Sequence, residues 1–122
     1  MKKLTLVLAG LLIAGALSAA DINLGSFPLG SWLDGNYDAV WEFKSDNIRI
    51  LDSESGDVLW DFADKTIENF KVDVIDGGPA IVFSCPEADR SYTFIKPLTS
   101  SDITMKIDRD GKAQYSVKMA KQ

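Results

Sequence analysis

The sequence predicts an all-β fold: a single antiparallel up-and-down meander of about eight strands, closed into a small barrel, behind a cleaved N-terminal signal helix. Three observations carry this. From Ala39 to Met119 apolar residues recur with the strand period of two. The links between the apolar segments are short and rich in Gly, Pro, Asp and Asn, residues that supply the dihedrals of tight turns. The first twenty residues have the order of an export signal.

That signal reads Met1, Lys2, Lys3, then an apolar run from Leu4 to Leu17, then Ser18-Ala19-Ala20 before Asp21. A positive start, an apolar middle and a small-residue cleavage site predict export through a Sec-type route with cleavage after Ala20. The run is too short, and too interrupted by Gly10 and Gly15, for a membrane-spanning helix of roughly 20 apolar residues. The expected division is therefore a signal peptide, 1–20, and one small β domain, 21–122. The expected location is periplasmic or secreted, with no membrane span once the signal is removed.

Along the domain, Ala39, Trp41 and Phe43 share one face while Glu42 and Lys44 share the other, and Ile48-Arg49-Ile50 repeats the alternation. Val58, Trp60 and Phe62 group together, as do Phe70, Val72 and Val74. Ala80-Ile81-Val82-Phe83 is apolar on both faces and reads as the most enclosed strand. Tyr92–Ile95, Ile103–Ile107 and Tyr115–Met119 complete eight strands, and the one candidate helical turn spans Ala63–Asn69. Links this short force antiparallel neighbours paired in sequence order. A meander of this length has two exposed edges unless it closes, and a barrel of about eight strands is either just filled by side chains or holds one small ligand.

Charge narrows the partners. The full chain carries 13 basic and 18 acidic residues; without Lys2 and Lys3, 11 basic residues face 18 acidic ones, a net charge of −7. That excludes a nucleic-acid partner, which needs a basic face, and leaves a basic protein partner open through electrostatic steering. Cys85 is the single cysteine, so no internal disulfide forms; it reads as a small buried hydrophobe, with an intermolecular disulfide as the other reading.

Catalytic machinery is missing from the composition. The chain has no histidine, which removes the usual general base and the commonest metal ligand. Asp61, Asp64, Asp73 and Asp76 fall on outward faces or turns. The stretches Asp52–Asp57 and Asp108–Gly111 mimic calcium loops but supply neither six to eight oxygens nor a terminal bidentate acid. No catalytic residue, metal site or cofactor is assigned.

Gly30-Ser31-Trp32, at the start of the domain, resembles the opening motif of the lipocalin-like (calycin) barrels, whose first strand begins Gly-x-Trp. The resemblance covers that motif, the export signal and the strand series; 102 residues is short for the family. It implies that Trp32 plugs the closed end, that Arg109 is a candidate for the late arginine covering such a Trp, and that a pocket lies at the other end. The expected function is an exported, non-catalytic binding protein holding a small hydrophobic or amphipathic ligand in an aromatic-lined barrel. Trp41, Phe43, Trp60, Phe62, Tyr92 and Phe94 are the candidate ligand-binding residues. The rival expectation is a protein-interaction module, such as an enzyme inhibitor, acting through Asp52–Asp57, Asp76–Pro79 and Pro86–Arg90 around a solid interior.

Overall fold

The structure, a computed structural model, describes residues 22–122; the expected signal peptide, 1–20, lies outside them. Nine antiparallel strands are formed among the described residues: β1 (Gly30–Asp34), β2 (Ala39–Lys44), β3 (Asn47–Asp52), β4 (Val58–Asp61), β5 (Glu68–Ile75), β6 (Gly78–Cys85), β7 (Arg90–Ile95), β8 (Ile103–Asp108) and β9 (Tyr115–Lys121). The ninth strand relative to the sequence reading is β1, which carries the Gly-x-Trp motif. Expected Ala63–Asn69 helicity shrinks to one 3-10 turn, Phe62–Asp64, capped by the Asp61 carboxylate on the Ala63 N–H, and β5 begins already at Glu68.

The sheet runs β4-β3-β2-β1-β9-β8-β7-β6-β5. Sequence neighbours pair, as expected, with two exceptions: β1 pairs with β9, joining the two ends of the chain, and β4 does not pair with β5. The result is a curled half-barrel rather than a ladder closed all the way round. The reason is parity. Nine strands alternating in direction leave the outermost two, β4 and β5, pointing the same way. The segment joining them must therefore run back along the seam, and it fills the seam with side chains, Phe62 and Ile67 both buried, instead of ladder hydrogen bonds.

A second departure lies in β4. A register shift after Ile50 sets Trp60 opposite Ile50 but Val58 opposite Leu51. Ile50 and Leu51 point to opposite faces, so Val58 leaves the group formed by Trp60 and Phe62 and stands exposed. Such a one-residue bulge cannot be read from period-two counting.

The core occupies the concave side of the sheet. Ile22, Leu24 and Phe27, ahead of β1, are buried in it and close one end, with the Leu24 N–H donating to the Ser45 carbonyl at 3.0 Å and the Phe27 ring 5.5 Å from Phe43. Trp32 lies at this closed end, its Nε1–H donating to the Ser101 carbonyl at 2.8 Å. The cation over its ring is Lys121, with Nζ 4.5 Å from the ring centre. Arg109, the candidate named from the Gly-x-Trp resemblance, does not do this: it sits beyond the other end of β8. Gly30 suits the arrangement because its φ of +135° is strained for any L side chain, whereas the Lys121 Nζ that a Cβ would meet at 2.9 Å ends a flexible chain and can move aside. Among the described residues no helix is long and apolar enough to cross a membrane.

Candidate functional site

The middle of the half-barrel is solid. Phe62 stands 5.3 Å from Phe83 and 5.5 Å from Tyr92; Phe94 stands 5.1 Å from Phe43 and 5.2 Å from Trp41, mostly in edge-on or tilted contacts that fill space well. Of the six candidate ligand-binding residues, Phe43, Phe62, Tyr92 and Phe94 are therefore packed against one another and against Trp41. Trp60 is half-buried at the seam beside Phe62, under the ammonium of Lys65 at 4.6 Å, with its own Nε1–H buried and without an acceptor. Of the six, Trp41 also borders a larger open space.

That space is a cleft of ≈ 330 Å³ at the end opposite Trp32. Its floor is apolar, with Trp41, Ile50, Met105 and Ile107 presented by the inward positions of β2, β3 and β8. Its rim is polar and aromatic: Asp34 and Tyr37 from the β1–β2 corner, Tyr115 from the start of β9, Arg90 from the start of β7 and Arg109 from the β8–β9 turn.

One wall is held by a small polar network. Asp34 is the one buried charged side chain among the described residues, 2% exposed. It follows Trp32 by two positions and so points inward. Its carboxylate accepts the Tyr115 O–H at 2.9 Å and the Asn36 backbone N–H at 2.9 Å, while the Asn36 side-chain amide donates to the Tyr115 oxygen, also at 2.9 Å. Burial pushes the Tyr115 phenol up; the Asn36 donor works against that and the Asp34 charge adds to it, so the phenol keeps its proton and stays a donor to Asp34. Tyr37 meets Tyr115 edge-on, ring centres 5.6 Å apart, and is otherwise largely exposed.

The opposite rim carries Arg90 and Arg109, which also line a neighbouring polar hollow with Glu68, Asp89, Asp108 and Asp110. Neither Arg90 nor Arg109 forms an ion pair among the described residues. Two guanidiniums without a carboxylate partner beside an apolar floor, that of Arg90 interacting also with the Tyr92 hydroxyl, can hold an anionic group while the rest of a ligand lies against Trp41 and Met105.

The stretches considered as calcium mimics serve as turns. The Asp52 carboxylate accepts the N–H groups of Glu54 and Ser55 at 3.1 and 2.8 Å, and these bonds hold it below the usual carboxylate range. No group of three or more His, Cys, Asp or Glu among the described residues is placed to hold a metal ion. Cys85 is fully buried, and desolvation pushes its thiol up.

Asp34, Asn36 and Tyr37 do not stand out in the sequence as parts of a site, and Arg90 stands out only as the end of the candidate protein-contact loop Pro86–Arg90. Asp34 had a readable signal, an acid at an inward position two residues from a core Trp. Tyr37, Arg90 and Arg109 lie in or beside turns, where no periodicity points at a common location. Comparison of the chain with protein-family models, with curated proteins and with solved structures finds no match.

Proposed function

We propose that the chain is an exported, non-catalytic binding protein of lipocalin-like type that holds a small amphipathic ligand in the cleft between Trp41 and the β1–β2, β6–β7 and β8–β9 corners. The observation that carries this reading is the cleft itself, an apolar floor under a rim that presents Arg90 and Arg109. Its volume is at the small end of ligand pockets, which run from roughly 300 to 1,000 Å³. The ligand's apolar part replaces water on Trp41, Ile50, Met105 and Ile107, and an acidic group on it meets Arg90 and Arg109. The aromatics deeper in the barrel act as the rigid floor support and do not themselves receive the guest. The sequence features of the first twenty residues support the periplasm or the exterior as the place where this happens.

Native mass spectrometry of the full chain, expressed with export and purified from its own host, tests the reading. A discrete small molecule is expected in the native spectrum and absent after denaturation. The rim variants Tyr37→Ala and Arg109→Ala, both outside the core, are expected to lose it while keeping the β-sheet circular dichroism of the parent. An empty protein that instead captures a basic protein moves the assignment to the interaction-module reading.

A further inference from the structure

The two outermost strands, whose outer edges make no ladder pairs, differ in kind. The first, β4, is four residues long, bulged, and flanked by Asp57 and Asp61, so that pairing with itself would set acids against acids. The second, β5, is eight residues long and joined to β6 by the two-residue turn Asp76-Gly77, both with positive φ. That turn fixes the hydrogen-bond phase. Ile75 and Gly78 form the bonded pair at the turn, so the backbone groups of Asp73 and Lys71 also face β6, and those of Val74, Val72 and Phe70 face the open edge. The Val74 N–H marks this independently: it donates to the Asp73 carboxylate at 2.8 Å rather than to a strand. The side chains along the edge are correspondingly bare, Val72 being 42% and Val74 68% exposed.

From Phe70 to Val74 the strand reads apolar, plus, apolar, minus, apolar. A twofold axis through Val72 turns this series onto itself with the charges exchanged. We infer that β5 is the contact strand of a symmetric homodimer, pairing antiparallel with β5 of a second copy about Val72.

In that register Val72 lies opposite its own copy, Phe70 opposite Val74 of the second copy, and Lys71 opposite Asp73 of the second copy. The first two sets are hydrogen-bonded pairs that use the outward backbone groups of Phe70, Val72 and Val74, the Val74 N–H exchanging its bond to the Asp73 carboxylate for one to the second copy. The Lys–Asp pairs fall at non-bonded positions, where facing side chains approach most closely. Any shift by two residues loses this: Lys71 then faces Lys71, or Asp73 faces Asp73. Within the isolated chain Lys71 and Asp73 already lie 3.4 Å apart as an exposed pair, so dimerisation exchanges partners without burying an unpaired charge. The irregularity between Glu68 and Lys71, with Asn69 at φ +57°, ends the pairing on one side and the Asp76-Gly77 turn ends it on the other, which limits the contact to one closed pair and prevents continued strand addition.

Sedimentation equilibrium of the protein at high micromolar concentration tests the inference. A dimer is expected. Asp73→Lys sets lysine opposite lysine twice and should weaken the dimer by about tenfold or more. The exchanged variant K71D/D73K restores opposite charges in the same register and should recover it. Amide exchange at Phe70, Val72 and Val74 should slow with protein concentration. A parent protein that stays monomeric, or an Asp73→Lys variant that dimerises as well as the parent, overturns the inference. Both substituted residues are exposed, and circular dichroism checks that the fold survives.

Discussion

At the scale of single residues, most chemistry in this chain is locked away. Tyr92 is buried among Phe62, Phe83 and Phe94, and desolvation pushes its phenol up to about 12. In the unfolded chain the same group ionises near 10. The phenol therefore contributes nothing pH-dependent below that value; above it the unfolded state loses its proton first, and stability falls as pH rises from about 10 to 12. Urea denaturation of the parent and of Tyr92→Phe at pH 8 and pH 11 should show the variant losing about 1 kcal/mol less over that interval. Asp34 is a buried carboxylate tolerated because Tyr115 and Asn36 supply donors, and it fixes the cleft wall from which Tyr37 projects.

Elements are shaped by close approaches that composition does not reveal. The β5–β6 hairpin turns beneath the β7–β8 link, where the Lys96 N–H donates to the Pro79 carbonyl at 2.9 Å. Gly78 begins β6 there, and a Cβ on it would collide with the carbonyl of Lys96, a backbone atom that cannot swing aside. Gly78→Ala should lower stability by about 1–3 kcal/mol in chemical denaturation, the usual range for forcing volume into a packed site. The same hairpin sets which backbone groups of β5 face the free edge, so its geometry underlies both the local packing and the inferred dimer. In β4 the bulge at Leu59, opposite the Ile50–Leu51 step of β3, does comparable work, moving Val58 out of the core and leaving Trp60 at the seam.

For the molecule as a whole, the decisive contact is between its two ends. The β1–β9 pairing joins a four-strand run to a five-strand run, and it rests on few links: Leu33 with Ala120, Trp32 with Lys121, and the Gln122 N–H donating to Ser31 at 2.8 Å. Deleting Ala120–Gln122 removes about three backbone hydrogen bonds and the cation above Trp32, and should cost about 3 kcal/mol in urea denaturation. Lys121→Met, which keeps the backbone, should cost about 1 kcal/mol. A fluorescence shift from Trp32 should accompany both changes, since its indole lies under that ammonium.

The class of fold and most of its elements are legible in the amino-acid order alone. Alternation with a period of two placed eight strands close to their observed positions, because burial on one face is a local pattern, and Asp- and Gly-rich links fixed the sense of pairing because they are too short to cross over. Solidity of the barrel centre, the number of strands and the site were decided only by tertiary structure. Phe43, Phe62 and Phe94 are marked as inward by sequence, but whether inward rings meet or leave space depends on how far the sheet curls. An uncounted strand, β1, made the total odd, and parity then left β4 and β5 parallel with a seam between them. Asp34, Tyr37, Arg90 and Arg109 are brought to one rim by three corners far apart in the chain, and no local pattern encodes a meeting of that kind.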